Sequence, residues 1–445
     1  MPKKRKTLFL SARFYYSIGA LVVLLALGQF GAFLFNLSLI LLAAWILAVI
    51  TDALLLFYQR EGQITGHREM DERFSNGDDN EIRITLQNHY PFQVSLKVID
   101  EIPVQFQYRD FCHHITLKAG AEENFTYQLR PVERGEYHFG ALNVFTISPL
   151  GLLHRRFRFS EDVMAKVYPS FKEMKKFEMM AISDRLTEMG IKKVRRVGHQ
   201  MEFDQIREYI KGDDYRTINW KATARKGGLM VNQYQEERSQ QVISVIDMGR
   251  SMKMPFSGMT LLDYAINTSL VLSKIAMLKQ DKAGLITYNN EVRSFVPPQR
   301  TGKHMQTIME TLYNQTTGFE EHNMRALYTM VRRRIHHRSL IVLYTNFESI
   351  SSAHHQIALL QKLAHDHLVM VVFFENTELH KLTKDRATDI EGIYVKTIAE
   401  KFAYDKKLIV RELERYGIYS VLTEPGKLTV ETINKYLELK SRGLI

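Results

Sequence analysis

The sequence predicts a multidomain chain: a two-helix transmembrane hairpin, then an antiparallel β-sandwich, then a doubly wound α/β domain. Three observations support this. Two long runs near the N-terminus carry almost no charge, the next stretch alternates apolar and polar residues, and the remainder alternates apolar strands with amphipathic helices. With 445 residues, 45% of them hydrophobic, the chain is long enough to bury more than one core.

The charge pattern indicates a membrane surface as a partner. The net charge is +11, and five of the positive charges lie in a basic tail, residues 1–13. They are Lys3, Lys4, Arg5, Lys6 and Arg13. Because this tail adjoins an apolar run, lipid headgroups are a simpler partner than nucleic acid, and no nucleic acid is expected. The single cysteine, Cys112, excludes an intramolecular disulfide.

Residues 14–58 are predicted to form the transmembrane hairpin. The run 14–35 has no charged residue and 37–58 has only Asp52, so each can cross about 30 Å of hydrocarbon as a helix. Basic residues outside both ends, in the tail and at Arg60, predict that both ends of the hairpin and the domains after it lie in the cytosol. A cleaved signal peptide is the alternative, but a second span follows at once and no small-residue cleavage site is evident. Asp52 is expected to reach headgroups or Arg60.

Residues 61–167 show the alternation typical of half-buried strands. Segments 81–88 and 94–99 alternate apolar and polar residues, and turn residues at 76–78 and 88–91 separate them. Short alternating strands with regular turns predict an antiparallel β-sandwich.

Residues 168–239 are predicted to be a linker followed by a dense polar block, residues 202–225. The linker has a basic cluster at 192–196 without interleaved aromatics, which is typical of a solvated helix face rather than a nucleic-acid surface. Charges this close to Trp220 are costly to bury unless they pair. The block is therefore either an ion-paired lock with Trp220 as a buried anchor, or a surface for a protein partner. Its candidate residues are Glu202, Arg207, Asp213, Asp214, Arg216, Asn219, Trp220, Lys221 and Arg225.

Residues 240–445 are predicted to form the α/β domain. Nearly continuous apolar strands at 242–247, 283–288, 340–344 and 369–374 alternate with amphipathic helices. This pattern is typical of a parallel sheet covered on both faces.

The polar block resembles a bacterial membrane-anchored family known as domain of unknown function 58. Residues 202–225 read E-F-D-Q-I-R-E-Y-I-K-G-D-D-Y-R-T-I-N-W-K-A-T-A-R, and residues 247–252 read D-M-G-R-S-M. The R-G-E-Y-H-F-G segment at 134–140 also fits, while Ser148 replaces the usual acid of a D-P-x-G-L element. The resemblance implies a protein that works with a MoxR-type AAA ATPase as a scaffold or adaptor.

The order of elements in 240–445 is similar to that of a von Willebrand factor A domain, which implies a Mg²⁺ site. In that fold a D-x-S-x-S strand end, a Thr and a further Asp supply hard oxygen ligands. Here Gly249 replaces the first Ser and Asn346 replaces the Asp, so the resemblance implies a degenerate site with weak Mg²⁺ binding or none. Glu348 could substitute only if its side chain turned back. The candidate positions are Asp247, Ser251, Thr301 and Asn346.

Motifs for catalysis are absent from the sequence. It has no G-x-x-x-x-G-K-[ST], H-E-x-x-H or G-x-S-x-G, so neither a catalytic residue nor an enzyme activity is predicted. The predicted function is a membrane-tethered cytosolic scaffold. Two alternatives remain: a hydrolase that uses Asp213 and Asp214, and a basic nucleic-acid-binding protein.

Overall fold

The structure is a computed structural model that divides the chain into two compact units between Tyr168 and Pro169. It describes residues 7–57, 63–182, 186–191, 202–235, 239–318, 320–347, 349–376 and 389–445, without the side chains of 186, 189, 202–204 and 233–235. Lys3 to Lys6, Arg60, the basic cluster 192–196, Glu348 and the Glu202 side chain lie outside the described residues.

Near its N-terminus the first unit contains a pair of apolar helices, as predicted. Helix α1 is Ala12–Gly28 and α2 is Ala32–Phe57. By length and composition α2 can cross a membrane; it has a mean hydropathy of 2.6 and only 11% of it is buried. The two helices pack together, with Trp45 Nε1 donating to Ser17 Oγ at 2.9 Å.

Asp52 of α2 is fully buried against the sandwich, so the expectation that it reaches headgroups is wrong. Its carboxylate accepts the Ser148 hydroxyl and the backbone N–H groups of Leu150 (3.2 Å) and Leu152 (3.3 Å). The loop at 148–152 supplies three donors to an acid that would otherwise be costly to bury. Ser148, which replaces the usual acid of this loop, is one of these donors.

The end of α2 is also held by side chains of the sandwich. The Leu56 carbonyl, which has no partner within the helix, accepts Arg155 Nη1 at 2.7 Å and the Tyr90 hydroxyl at 3.0 Å. The Arg155 guanidinium lies 4.7 Å from the ring centre of Phe57. The apolar helix pair is therefore fixed to the sandwich by buried polar contacts.

The sandwich contains one five-stranded and two three-stranded sheets, in the orders β1-β10-β9-β5-β6, β2-β4-β7 and β3-β11-β8. The strands are β1 Leu8–Leu10, β2 Ile64–Met70, β3 Arg73–Ser75, β4 Asn80–Asn88, β5 Val94–Asp100, β6 His113–Leu117, β7 Glu122–Leu129, β8 Gly135–Phe139, β9 Leu142–Ile147, β10 Leu153–Phe159 and β11 Val163–Tyr168. The observed arrangement differs from the predicted antiparallel sandwich of residues 61–167 in two respects. The β3–β11 pair is parallel, and the basic tail contributes an edge strand, β1.

The second unit contains a six-stranded sheet in the order β18-β17-β14-β19-β20-β21. Its elements are α3 Phe171–Ile182, β12 Glu202–Glu208, α4 Trp220–Lys226, β13 Met230–Gln235, β14 Gln241–Asp247, β15 Pro255–Phe256, β16 Met259–Thr260, α5 Leu261–Leu278, β17 Lys282–Tyr288, β18 Val292–Gln299, α6 His304–Tyr313, α7 Met324–Arg334, β19 Leu340–Tyr344, α8 Ile350–Asp366, β20 Leu368–Phe374, α9 Ile390–Arg415, β21 Tyr419–Thr423 and α10 Leu428–Ser441.

This sheet is parallel except for β18, and helices cover both of its faces. One apolar core packs α5, α6 and α10 on the sheet, and the other packs α7, α8 and α9. Helix α5 begins with the capping box formed by Thr260 and Asp263. The α/β region predicted from the sequence is confirmed.

Helix α3, at the start of the predicted linker, packs on α5 within the second unit. Phe177 is buried in the core, and Lys274 pairs with Glu178 at 2.9 Å. The chain therefore enters the α/β unit directly after the sandwich.

Candidate functional site

Two groups of predicted site residues were located: one at the carboxyl edge of the six-stranded sheet, the other in the polar block. At the sheet edge, Asp247 ends β14 and is fully buried. Its Oδ1 accepts the Gly249 N–H at 2.8 Å, and its Oδ2 accepts the Thr345 hydroxyl at 2.7 Å. Thr345 directly follows β19, the neighbour of β14. Because the carboxyl ends of parallel strands meet at one edge of the sheet, Thr345 lies beside Asp247.

His322, which the sequence did not single out, contacts the same carboxylate. Its Nδ1 lies 3.1 Å from Asp247 Oδ2, and its Nε2 lies 2.6 Å from Nε2 of Gln356 on α8. The Asp247 carboxylate and the Gln356 amide thus contact the imidazole from two sides. Burial raises the pKa of Asp247, and the adjacent His322 ring opposes that rise. An imidazole from the loop before α7 therefore covers one oxygen of the acid.

Asn346 and Ser251 also lie at this edge, and other groups already engage the Asn346 side chain. Asn346 Nδ2 donates to the Ser251 carbonyl at 3.4 Å, and Asn346 Oδ1 accepts Lys406 Nζ of α9 at 2.7 Å. Lys406 also donates to the Phe374 carbonyl at 2.6 Å. The Ser251 hydroxyl is buried and has no hydrogen-bond partner among the described residues. The Lys406 ammonium group therefore faces Asn346 Oδ1, the oxygen that would have to coordinate a metal ion.

Thr301 does not belong to this group. Strand β18 is antiparallel, and its last residue, Gln299, pairs with Ala283 near the start of β17. Thr301 is therefore exposed beyond the opposite edge of the sheet from Asp247. The assignment of Thr301 to the site is wrong, because the register of β18 carries it away.

Gly249 lies in close packing at this edge. A Cβ atom there would lie 3.0 Å from Asp247 Oδ1 and 3.2 Å from the backbone nitrogen of His322. The serine of the D-x-S-x-S motif would be crowded by the histidine loop. With the Asp247 oxygens engaged by Gly249, Thr345 and His322, and Asn346 by Lys406, these residues do not fit a divalent cation. Among the described residues, no group of three or more His, Cys, Asp or Glu side chains is placed to hold a metal ion.

The polar block, by contrast, is a small antiparallel unit with its own bracing. Arg207 donates to Asp213 through two bonds of 2.8 and 2.7 Å, and Asp213 also accepts the Ile210 N–H at 2.9 Å. The hydrogen bond from Arg207 lowers the pKa of Asp213 below its ordinary value. Asp214 caps a 3-10 turn by accepting the Arg216 N–H at 3.0 Å. These two acids therefore hold the loop in shape.

Asn219 positions the short helix α4 on strand β13. Its side-chain oxygen accepts the Ala222 N–H at 3.0 Å, and its Nδ2 donates to Asn232 at 2.8 Å. The Thr223 hydroxyl accepts the Met230 N–H at 2.9 Å, so this side of α4 faces β13. The predicted Asn219 thus acts as a helix cap.

Trp220 is 69% exposed, so the expectation that it is a buried anchor is wrong. Thr223, rather than the indole, contacts β13. Arg216 is also exposed; its guanidinium lies 5.7 Å from the Tyr215 ring centre and makes no ion pair with any described residue. Lys221 and Arg225 are exposed as well, and of Glu202 only the backbone, at the start of β12, is described. The Arg207–Asp213 ion pair stabilises the loop of the block, and its aromatic and basic side chains at Tyr215, Arg216, Trp220, Lys221 and Arg225 are exposed.

Comparisons with known proteins give distant matches. The uncharacterized protein YeaD of Bacillus subtilis (strain 168) is 26% identical over 255 residues, which are 55% of this chain and 61% of that protein. Among solved structures, the conserved hypothetical protein BatB from Bacteroides thetaiotaomicron has a TM-score of 0.28 and 15% identity, covering 46% of this chain and 100% of that one. The CARDB domain of PF1109 from Pyrococcus furiosus has a TM-score of 0.17 and 15% identity, covering 23% and 86%.

TM-scores this low do not establish a shared fold. The sequence match is more informative, because it contains both groups of site residues. Residues 205–397 match the family model described as Protein of unknown function DUF58, which confirms the resemblance to this family over that region.

Proposed function

We propose that the chain is a membrane-tethered scaffold or adaptor whose polar block binds a protein partner. The observation that carries this proposal is the exposure of Trp220 on a braced unit. Exposing an indole to water is unfavourable, and tryptophan, tyrosine and arginine are the residue types most enriched at the energetic centres of protein interfaces. Tyr215, also 69% exposed, and Arg216 precede Trp220 in the same block.

The helices α1 and α2 are the proposed membrane anchor. Their exposed side chains are apolar along most of their length, and α2 is long enough to span the hydrocarbon core. The basic residues of the tail and Arg60 favour an inner-membrane hairpin with both units in the cytosol.

The α/β unit is proposed to be a von Willebrand A-like domain that works without a metal. With only the six strands of its main sheet numbered by chain position, the order is 3-2-1-4-5-6, and Asp247 ends the first of them. His322 and Lys406 supply the positive or proton-donating groups that face Asp247 and Asn346. Mg²⁺ is therefore not expected to be needed for partner binding.

The proposed partner is a MoxR-type AAA ATPase, which is what the family resemblance implies. The alternative hydrolase is not favoured, since Asp213 is paired with Arg207 and Asp214 caps a turn. A general acid or base needs a carboxylate that is available to a substrate.

The test is co-purification of the ATPase with the full-length chain from membranes, using wild type and Trp220→Ala. We expect the variant to lose most of the captured ATPase. Tyr404→Ala is the matched control, because Tyr404 is an aromatic residue, 57% exposed, on α9. Equal capture by all three chains would contradict the proposal.

A further inference from the structure

We infer that the polar block binds an acidic protein surface with an apolar cleft that receives Trp220. This inference rests on the proposed function and adds the chemistry of the partner. The block surface is defined here as the exposed residues Ile210, Lys211, Tyr215, Arg216, Trp220, Lys221, Ala224 and Arg225.

The exposed side of α4 combines an aromatic ring with two positive charges. Trp220 and Ala224 are four residues apart and share one face, as do Lys221 and Arg225 on the adjoining face. All four are exposed, whereas Ala222 and Thr223 are half-buried. Ala224 contributes only a methyl group one turn after Trp220, so α4 places no large side chain over the indole.

The acidic side chains of the block are bonded, whereas several of its basic side chains are not in ion pairs among the described residues. Residues 205–229 contain six basic and three acidic residues. Asp213 pairs with Arg207, and Glu208 lies 3.7 Å from Lys226. Lys211, Lys221 and Arg225 have no ion pair with any residue in the described part of the chain, and Asp214 accepts a backbone N–H. The surface around Trp220 is therefore positive, and its complement is acidic.

The bracing of the block favours a protein over other polyanions. The Arg207–Asp213 pair and the Asn219 cap hold the backbone, so little ordering is needed when a shaped partner binds. The large apolar side chains among the block-surface residues are only Ile210, Tyr215 and Trp220, and α4 is too short to present the long apolar face of a helix that inserts into lipid. A single-stranded nucleic acid would use successive stacking rings along a groove.

The experiment places the photo-crosslinking residue p-benzoylphenylalanine at Tyr215 of the full-length chain in cells. After irradiation, the cross-linked peptide is sequenced. We expect a protein segment with more Asp and Glu than Lys and Arg. Its yield should fall about tenfold or more in a Lys221→Glu, Arg225→Glu chain, because like charges at an interface oppose binding.

Two further chains make the test specific. Lys221→Gln with Arg225→Gln should give an intermediate yield. Lys407→Glu with Arg411→Glu, an exposed pair with the same spacing on α9, should leave the yield unchanged.

A neutral or basic protein segment, or a yield unaffected by the Lys221 and Arg225 reversals, would overturn the acidic-partner inference but leave a protein-binding function intact. Adducts with lipid or nucleic acid only, or no adduct, would overturn both.

Discussion

At the scale of one residue, His322 shows how a buried acid is satisfied by groups of the protein itself. Asp247 Oδ2 contacts His322 Nδ1 and accepts the Thr345 hydroxyl, and Asp247 Oδ1 accepts the Gly249 N–H. All three partners of the carboxylate are therefore groups of the protein. A histidine in this position keeps the buried carboxylate satisfied and also blocks the approach of a cation.

Replacing this histidine should therefore weaken the fold and open the site. His322→Ala removes one donor from a buried acid, with an expected cost of about 1 to 3 kcal/mol in the free energy of unfolding. Because the imidazole no longer covers Asp247 Oδ2, Mg²⁺ should raise the melting temperature of the variant but not of the wild type. Thermal unfolding with and without Mg²⁺ measures both effects.

His355→Ala is the matched control, because His355 lines the same cavity of about 270 Å³ and is exposed. Asn346→Asp with Gly249→Ser should not restore Mg²⁺ binding while His322 is present, since a Cβ at 249 is crowded. Equal stabilisation of wild type and His322→Ala by Mg²⁺ would refute the blocking role of the imidazole.

Asp213 gives the polar block a defined response to acid. Its pKa in the folded state is below the ordinary value of 3.8, chiefly because Arg207 donates to the charged carboxylate. The brace is therefore fully present above that ordinary value and is lost as pH falls through the lower, folded-state pKa. The amide signal of Ile210, which donates to Asp213, should titrate with a midpoint below 3.8 in NMR spectra.

Asp213→Asn should abolish this titration. A midpoint at or above the ordinary value would show that the pair with Arg207 does not stabilise the charged acid in solution.

At the scale of elements, α2 and the loop at 148–152 depend on each other. Asp52→Ala would leave the N–H groups of Leu150 and Leu152 and the Ser148 hydroxyl without their acceptor. Each stranded buried group costs about 1 to 3 kcal/mol, although the loop can relax toward water.

We expect faster hydrogen exchange at Leu150 and Leu152 in the detergent-solubilised Asp52→Ala chain. Asp71→Ala, which removes an exposed acid, should leave both amides unchanged. Unaltered exchange in Asp52→Ala would mean that the helix pair is not fixed to the sandwich through this acid.

At the scale of the whole molecule, periodicity predicted which elements form, whereas contacts between distant segments decided the site. The apolar runs of β14 and β19 placed Asp247 and Asn346 at one sheet edge. Their neighbours His322 and Lys406 come from parts of the chain with no recognisable motif, so no local pattern could identify them. Thr301 was misplaced because a sequence does not reveal the direction of β18.

The burial of Trp220 was wrongly predicted for a different reason. Tryptophan is usually buried, and nothing in the local sequence shows that Thr223 rather than Trp220 faces β13. Asp52 is similar, since its three donors lie almost a hundred residues away and only the folded sandwich brings them together.

The most direct measurement is chemical unfolding of full-length Trp220→Ala beside its capture of the ATPase. Because the indole is 69% exposed, the free energy of unfolding should change by only about 0.5 kcal/mol, while capture should be lost. Arg216→Ala should behave in the same way. A loss of about 3 to 5 kcal/mol, as for a buried aromatic residue, or stable variants that still capture the ATPase, would contradict a role of the block as a partner surface.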